Sequence, residues 1–391
     1  MLKRVLERAG HRVECARGGE EAFSIARARL PDLILLDITM PPGIDGFETL
    51  GLLKSDERLR STPVIVISSM SDTGDKVRAL SLGAVDYVSK PFRAEEVIAR
   101  VKTHLTLRSL QRDLSDRNSQ LERINLQMKC DLEAAGRVQR AMLPNCSPEC
   151  PGYEFAWACR SCHEVGGDTL DVFRINESTI GFYLLDVSGH GVAACLLAVA
   201  VGRSLIPQPD RSSIVLDRGS GFRRSRVVSP GEVLRRLNAM NPMEFDRNPH
   251  FITMIYGLLD CSNGRVRLAA AGHPGPMVAR ADGSLDNYNT PCLPIGVDPN
   301  AKYTECDISL ADGDRLYLYS DGAFEQMRPD VGQFGMERLH AALCGSRLVH
   351  QAIEGTVQQV VEWARPGVPS DDVSLVGIMR SGAAAPECRI N

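Results

Sequence analysis

The chain is poor in aromatic residues, has no long apolar run and carries no excess of positive charge. Aromatic residues make up 5% of its 391 residues, and two of them are tryptophan. The longest apolar stretch, residues 192–201, is about half of the roughly 20 residues that a membrane-spanning helix needs, so we expect no membrane span. Lysine and arginine total 45 against 49 acidic residues, so we expect no bulk binding to nucleic acid. The hydrophobic content of 43% is typical of a folded, soluble protein, and the length suggests two or three domains.

The start of the chain also lacks the apolar core of a secretory signal, and the 12 cysteines are not spaced as a disulfide framework. We therefore expect a cytoplasmic protein with reduced thiols. One local spacing, Cys159-x-x-Cys162-His163, matches covalent haem attachment, and Cys146 and Cys150 would extend it to a zinc site. We favour neither alternative, because haem attachment needs export and because the segment runs directly into an acidic motif.

Short apolar runs alternate with helical patterns in the first hundred residues, at 33–36, 64–67 and 85–88. This order predicts an α/β domain with a doubly wound parallel sheet that is covered on both faces. Ligands of such sheets bind beyond the carboxyl ends of the strands, where Asp37, Ser68 and Lys90 follow the three runs. We expect this carboxylate, hydroxyl and amine to meet at one edge of the sheet.

Three segments around these residues resemble the receiver domain of bacterial response regulators: 33–48 (LILLDITMPPGIDGFE), 63–69 (PVIVISS) and 86–92 (DYVSKPF). The resemblance covers about residues 1–104. It implies that Asp37 is the phosphoacceptor and that Ser68, Tyr87 and Lys90 are the switch residues. It further implies a cis peptide between Lys90 and Pro91 and an upstream histidine kinase as a partner.

Two features depart from that family. The loop at residues 40–46 has one residue more than the common pattern, and the chain starts inside what should be the first helix. The first strand, which carries the acidic pair that holds magnesium in this family, is therefore absent from the sequence given. We expect Mg²⁺ at the receiver only if sequence upstream supplies that pair, because magnesium prefers hard oxygen ligands.

Residues 105–142 contain few glycines or prolines and carry apolar residues seven apart: Leu107, Leu114, Leu121, Met128, Ala135 and Met142, with Leu110, Ile124 and Val138 three positions further on. This spacing predicts the seam of a coiled coil, interrupted at Arg117 and Asp131. We expect a parallel homodimer through this helix. The alternative is a single amphipathic helix that lies on its own domains.

The second half of the chain predicts an α+β domain in which acidic motifs stand at strand ends. The motifs are 164–168 (EVGGD), 186–191 (DVSGHG), 319–322 (YSDG) and 371–375 (DDVSL). One Asp-Gly pair is commonly a turn, but four such motifs indicate carboxylates that converge on cations, since crowded carboxylates otherwise repel one another. Oxygen ligands favour magnesium or manganese over zinc, and a pair of such ions suits phosphate-ester hydrolysis.

In this order the motifs resemble the metal-dependent, PPM-type protein phosphatases, in the bacterial branch that regulates sporulation and sigma factors. The likeness covers about residues 134–380 and includes 135–144 (AGRVQRAMLP), 231–238 (GEVLRRLN), 271–276 (AGHPGP) and 334–339 (FGMERL). It implies a β-sandwich flanked by helices. It also implies a phosphoserine protein as substrate, namely an anti-sigma-factor antagonist that acts by partner switching.

The resemblance also assigns residues to the site. It implies two Mn²⁺ or Mg²⁺ ions and the following ligand set: Asp168, Asp186 and the carbonyl of Val187, with Asp321 and Asp371 completing the opposite metal and Asp372 beside it. Asp168, Asp186, Asp321 and Asp371 are then the catalytic residues. We assign no chemical role to His190, and we expect His273 to shape a loop.

Departures from the phosphatase pattern are mild. Thr169 and Leu170 stand where aromatic residues are common, and residues 208–228 form a basic insertion with Arg223, Arg224 and Arg226. We expect that insertion to be an exposed loop rather than a flap over the substrate.

The sequence therefore predicts a receiver at residues 1–104, a signalling helix at 105–142, a serine phosphatase at 143–381 and a tail at 382–391. One alternative is an inert phosphatase fold that binds a phosphorylated partner. Another is a diguanylate cyclase, which the GGD motif suggests, although Thr169 and Leu170 do not supply the acidic and aromatic residues that this activity needs.

Overall fold

The computed structural model describes residues 2–40, 43–69, 73–189, 191–207, 213–217, 226–240, 251–329, 331–367 and 369–382. The chain divides into two compact units, Met1–Leu126 and Gln127–Asn391. The boundary between them falls inside the segment predicted as a signalling helix. Among the described residues, no helix combines the length and the apolar character that crossing a membrane would require.

The first unit alternates helices and strands. In chain order it contains α1 (Leu2–Arg8), α2 (Gly19–Arg29), β1 (Ile34–Asp37), α3 (Gly46–Ser55), β2 (Val64–Ser69), α4 (Thr73–Ser81), β3 (Asp86–Lys90) and the first part of α5 (Ala94–Met142). The strands are parallel in the order β1-β2-β3, which confirms the predicted α/β class. Each strand ends one or two residues later than the apolar runs predicted, because Asp37, Ser69 and Lys90 still take part in strand pairing although their side chains are polar.

Helix α3 shows how local sequence fixes an element beside the sheet. The Asp45 carboxylate accepts the Glu48 backbone N–H at 2.7 Å, and the Glu48 carboxylate accepts the Asp45 N–H at 3.2 Å. This reciprocal capping satisfies two of the donors that a helix start leaves free. The apolar face of α3 then buries Phe47, Leu50 and Leu53 in the same cluster as strand residues of β1 and β2.

Helix α5 is continuous over 49 residues, from Ala94 to Met142. It contains the whole segment predicted as a signalling helix and begins earlier than predicted. Seam residues on it are exposed within the single chain: 61% of Leu114 and 57% of Leu121 is accessible to solvent. The buried exceptions near its end are Gly136 and Gln139.

The second unit contains, after α5, β4 (Tyr153–Arg160), β5 (Thr169–Arg174), β6 (Thr179–Val187), α6 (Val192–Ser204), β7 (Leu216–Asp217), β8 (Arg226–Val227), α7 (Pro230–Met240), β9 (Ile252–Asp260), β10 (Arg265–Ala271), β11 (Met277–Ala279), β12 (Leu285–Asn287), β13 (Glu305–Ser309), β14 (Arg315–Tyr319), β15 (Met327–Arg328), β16 (Gly332–Gln333), α8 (Met336–Cys344), α9 (Val349–Trp363) and β17 (Val373–Arg380). Two antiparallel five-stranded sheets form, in the orders β13-β10-β9-β6-β5 and β12-β11-β14-β17-β4. The pairs β7-β8 and β15-β16 are separate two-stranded ribbons.

Central strands of both sheets are buried on both faces. In β14, Leu316 and Leu318 join the core between the sheets, while Tyr317 and Tyr319 join a second core on the outer side. Side chains alternate between faces along a strand, so a strand covered on both sides must be apolar throughout. This explains why residues 316–319 of β14 are leucine and tyrosine throughout.

Helices cover the outer face of each sheet. Helices α6 and α7 pack on the first sheet, where Ala194, Ala198 and Val233 meet Tyr256. Helices α8 and α9 pack on the second sheet, where Leu339 and others meet Tyr317. The resulting four layers confirm the predicted β-sandwich flanked by helices. The sequence reading had not named α9, although its buried residues recur at helical spacing: Val349, Ala352, Ile353, Thr356, Val357 and Val360.

Replacing Gly257 by alanine should destabilise the second unit by about 2 kcal/mol, because a Cβ there would lie 2.2 Å from the Phe182 ring in a closely packed core. Gly355 in α9 is the matched control, since a Cβ there meets nothing within 4 Å and alanine should stabilise the helix by about 0.5–1 kcal/mol. Both tryptophans, Trp157 and Trp363, lie in the second unit, so urea unfolding followed by tryptophan fluorescence measures its stability. Equal midpoints for Gly257→Ala and the wild type would contradict this account of the packing.

Candidate functional site

The first unit brings together the polar residues predicted at its sheet edge. Lys90 Nζ forms an ion pair with Asp37 Oδ2, and the Thr39 N–H donates to Asp37 Oδ1 at 3.1 Å. Ser68 is buried and lies between them on the central strand, since its neighbours Ile67 and Ser69 pair with Asp37 and Lys90. Its hydroxyl donates to the Ser69 carbonyl at 3.5 Å rather than to the carboxylate.

Two further receiver predictions fall near this edge. The Lys90–Pro91 peptide is cis, as predicted. Tyr87 is partly buried, and Lys76 Nζ lies 4.7 Å from the centre of its ring. The loop predicted to carry an extra residue is described only in part, because residues 41 and 42 lie outside the described chain.

Close backbone contacts bring the acidic motifs of the second unit together. A Cβ on Gly166 would lie 2.1 Å from Asp372 Oδ2, and one on Gly322 would lie 1.9 Å from the Asp372 carbonyl. A Cβ on Gly167 would lie 2.6 Å from the carbonyl of Val187. Only glycine allows approaches this close, so the glycines beside the acids let four separate segments converge.

Asp168 is the most enclosed carboxylate of this cluster, with 2% of its surface exposed. Its Oδ2 atom is buried and has no hydrogen-bond partner among the described residues. Burial raises the pKa of Asp168 well above its usual range, and the charges of Asp186 and Asp372 add to that rise, while hydrogen bonding from Ser320 and Ser374 opposes it. A buried acceptor without a donor is costly, so this oxygen is suited to bind a cation.

The pKa values of the neighbouring acids Asp186 and Asp371 are raised as well. Burial, followed by the charges of Asp321 and Asp371, raises the pKa of Asp186 to about 7. The pKa of Asp371 is raised as well, first by lost hydration and then by Asp321 and Asp372. Hard oxygen donors that repel one another in a small space are the chemistry that Mg²⁺ and Mn²⁺ satisfy. The residues present therefore fit a divalent cation of this class.

Asp372 contacts backbone with both of its oxygens. Oδ1 accepts the Cys162 N–H at 2.8 Å, and Oδ2 accepts the Asp168 N–H at 3.3 Å. The side chain thus holds the segment that carries Asp168. Its predicted place beside the metal stays a prediction.

Cys162 lies beside the acidic site, which the sequence analysis did not predict. Ligand atoms of Cys162, Asp371 and Asp372 lie within 4.8 Å of one another. Among the described residues, these three form the one cluster of histidine, cysteine or acidic side chains close enough to share a metal ion. Asp168, Asp186 and Asp321 do not belong to this group. Cys146, Cys150 and Cys159 do not belong to it either, so the described chain does not assemble the four-cysteine zinc site. Burial, then Asp372 and Asp371, raises the pKa of Cys162 to about 12.

Other predicted features lie elsewhere or outside the described residues. His190, Arg223 and Arg224 are not described. Arg226 lines a cavity of about 580 Å³ between β8, α7 and the strands β9 and β10, away from the acidic motifs. His273 is buried, its Nδ1 lies 3.1 Å from the Pro274 carbonyl, and burial lowers its pKa to about 4.

Comparison with known families matches the two units separately. A family model described as "Stage II sporulation protein E (SpoIIE)" matches residues 176–381, which is more than half of the chain. The chain belongs to the stage II sporulation protein E family. A second model, described as "Response regulator receiver domain", matches residues 1–102 and confirms the receiver resemblance of this SpoIIE-family chain.

Individual relatives cover parts of the SpoIIE-family chain. Over 105 residues it is 39% identical to Response regulator GtcR of Aneurinibacillus migulanus, covering 27% of the chain and 42% of that protein. Over 267 residues it is 22% identical to Protein IcfG of Synechocystis sp., covering 65% of the chain and 42% of that protein. The chain thus spans about two fifths of the length of these curated relatives.

Among solved structures, the SiaA-PP2C domain of Pseudomonas aeruginosa resembles the chain with a TM-score of 0.52 and 17% identity. The match covers 66% of this chain and 98% of that domain, and it shows a shared fold. The SpoIIE-family chain therefore joins a receiver domain to a phosphatase fold of the PP2C type.

In the presence of a metal chelator, lowering the pH from 7.5 to 5.5 should add stability to the second unit through Asp186, against the opposite contribution of His273, whose pKa burial lowers. The pKa of Asp186 is about 7 in the folded chain and near its usual value of about 3.9 in the unfolded chain, so the folded state binds more protons between these values. Stability contributed in this way is present at low pH and is lost as the pH rises toward 7. Urea unfolding followed by tryptophan fluorescence measures it.

Asp186→Asn should lack this contribution, so its stability relative to the wild type should fall as the pH is lowered. At pH 7.5 the variant should be more stable than the wild type by about 2 kcal/mol, because the repelling charge is gone. Asp282→Asn, at an exposed turn outside the cluster, is the control and should keep the wild-type slope. An Asp186→Asn variant with the slope of the wild type would contradict the described repulsion.

Proposed function

We propose that this chain is a divalent-metal-dependent protein serine phosphatase whose activity its receiver domain controls. The observation that carries the proposal is the buried, unpartnered Asp168 oxygen within a cluster of mutually repelling carboxylates. Asp168, Asp186, Asp321, Asp371 and the Val187 carbonyl would hold two Mn²⁺ or Mg²⁺ ions. When bound, such ions lower the pKa of water and neutralise phosphate charge, which is what hydrolysis of a phosphate monoester requires.

The chain's own contribution is to hold these acids in place. Gln326 is buried, and its amide donates to the carbonyls of Gly322 and Asp371 at 3.0 Å each. Ser320 Oγ donates to the Asp372 carbonyl at 3.3 Å and accepts the Ser374 N–H at 3.0 Å. These bonds connect the strand end that carries Asp321 to the segment that carries Asp371, so the geometry of the acids is set before a substrate arrives.

The proposed substrate is a phosphoserine on an anti-sigma-factor antagonist, which would act by partner switching. Its support is the resemblance of the ordered motifs to the sigma-factor-regulating branch of phosphatases. The matched receiver domain supports an upstream histidine kinase and Asp37 as phosphoacceptor, with Ser68, Tyr87 and Lys90 as switch residues. The domain limits at residues 104, 142 and 381 belong to the same proposal.

Phosphate release from a serine-phosphorylated protein should require Mn²⁺ and should fall at least about 100-fold in Asp186→Asn, since a metal ligand is lost. Asp282→Asn is the control for a lost surface charge and should retain the wild-type rate. Colorimetric phosphate measurement with Mn²⁺ and with chelator makes the comparison.

Two further measurements separate the alternatives: analysis of the products formed from GTP, and binding of a phosphoprotein. Cyclic dinucleotide formed from GTP would favour the cyclase, and binding of a phosphoprotein without turnover would favour an inert scaffold. Either result with correctly folded protein would sink the phosphatase proposal.

We also propose that α5 pairs with the same helix of a second copy. Seam residues Leu114 and Leu121 are exposed in the single chain, and Leu126 is equally exposed but lies off the seam. An apolar stripe at heptad spacing is stable in water when a partner helix covers it.

The double variant Leu114→Glu, Leu121→Glu should be monomeric, with a mass near the 42.7 kDa of one chain, whereas the wild type should have twice that mass. Leu126→Glu introduces the same chemistry off the seam and should remain dimeric. Light scattering coupled to size-exclusion chromatography measures the mass, and a monomeric wild type would rule the pairing out.

A further inference from the structure

Gln139 is buried although it lies on a largely exposed helix. It lies near the end of α5, yet only 7% of its surface is exposed. Its amide Nε2 donates to the Gly166 carbonyl at 2.9 Å, and its Oε1 accepts the Gly166 N–H at 3.1 Å. One side chain thus satisfies both backbone groups of a residue two positions before Asp168. All residues of this contact belong to the second unit.

The helix backbone itself approaches the same segment. A Cβ on Gly136 would lie 2.0 Å from the carbonyl oxygen of Glu164. Gly136 and Gln139 are three positions apart, so they lie on one face of the helix. That face therefore packs directly on the segment leading into Asp168.

The opposite end of the segment is held by Asp372, whose Oδ2 accepts the Asp168 N–H at 3.3 Å. Gln139 and Asp372 thus both hold the backbone that leads into Asp168, and Gln139 Nε2 also donates to the Asp168 carbonyl at 3.5 Å. The Oδ2 atom of Asp168 is buried without a hydrogen-bond partner among the described residues, so no hydrogen bond to that oxygen fixes its direction. Its position depends on the backbone that carries it.

We propose that Gln139 is a positioning residue that holds the Gly166 backbone so that the Asp168 carboxylate faces the acidic cluster, and that it thereby sets the affinity of the cluster for a divalent cation. This inference rests on the proposed function in so far as the cluster binds such a cation. Partners of metal ligands typically change metal affinity by about 10- to 100-fold when they are lost. Loss of Gln139 also leaves a buried N–H and a buried carbonyl without partners.

The first test is Mn²⁺ binding by the full chain without substrate, measured by electron paramagnetic resonance. Gln139→Met keeps the length of the side chain but removes its amide, and it should weaken Mn²⁺ binding about tenfold. Gln127→Met on the same helix is the control, because the Gln127 amide bonds only to the exposed Asp131, at 3.1 Å. Gln127→Met should bind Mn²⁺ as the wild type does.

Gly136→Ala is a second, independent variant. Alanine favours a helix more than glycine does, so a weaker helix cannot explain a loss of affinity. The added Cβ should push the helix face away from Glu164 and weaken Mn²⁺ binding in the same direction as Gln139→Met. In both variants, phosphate release should recover toward the wild-type rate at saturating Mn²⁺, because the altered quantity is affinity.

Hydrogen exchange of the backbone, measured in chelator, provides a readout that needs no metal. Gln139→Met should speed exchange at Gly166 and also at Asp168, whereas Gln127→Met should change neither. Unchanged exchange at Asp168 together with Mn²⁺ affinity within twofold of the wild type would overturn the positioning role. A rate lost at every Mn²⁺ concentration with unchanged affinity would overturn it as well.

Failure of the proposed function would look different. A wild-type chain that binds no Mn²⁺ contradicts the metal-dependent phosphatase and the affinity part of this inference. Exchange at Asp168 then decides the rest: faster exchange in Gln139→Met supports the positioning contact, and unchanged exchange overturns it.

Discussion

Repulsion among closely placed carboxylates is the constraint on which the second unit depends. Asp168 has no partner for one buried oxygen, and the pKa of Asp186 is raised to about 7 by burial and by its neighbours Asp321 and Asp371. Left to themselves such groups would separate or take up protons. Here they stay together because the backbone segments that carry them are in van der Waals contact. The fold therefore supplies the free energy that holding these carboxylates close together costs.

The four-layer sandwich is suited to holding these carboxylates close together. Its central strands are apolar on both faces, so each is fixed between two cores and cannot shift register without exposing apolar side chains. The acidic motifs follow or precede these strands, at β6, β14 and β17. Rigid strands thus set where each motif begins, and buried hydrogen bonds from Gln326 and Ser320 set the distances between them.

Sequence reasoning captured what is encoded locally. Apolar runs indicated the parallel strands of the first unit, and the heptad spacing indicated the helical segment within α5. Strand ends at Asp37 and Lys90 were placed too early, because hydropathy does not register backbone pairing at polar residues. The apolar residues of helix α9 recur at helical spacing, but the segment contains no motif, and the helix was not predicted.

Long-range contacts were beyond such reasoning. Cys162 was seen only as half of a Cys-x-x-Cys pair, yet it lies beside Asp371 and Asp372, more than two hundred residues away along the chain. Gln139 stood inside a segment that resembled the phosphatase branch, but a single polar residue on a helix does not reveal which backbone it contacts. Its partner Gly166 lies 27 residues further along the chain.

The end of α5 places two different surfaces on adjacent residues. Val138 is 64% exposed on the apolar stripe, and the next residue, Gln139, is 7% exposed against Gly166. Successive residues of an α-helix are separated by about 100° of rotation, so the angle between stripe and contact is fixed by residue count alone. Inserting one residue into α5 between Met128 and Gly136 would turn Met128 on the stripe by about 100° relative to the contact, whereas inserting seven would nearly restore its direction. The number of residues in α5 thus sets the angle between the stripe and the contact. Insertions of whole heptads nearly preserve that angle, and insertions of single residues change it.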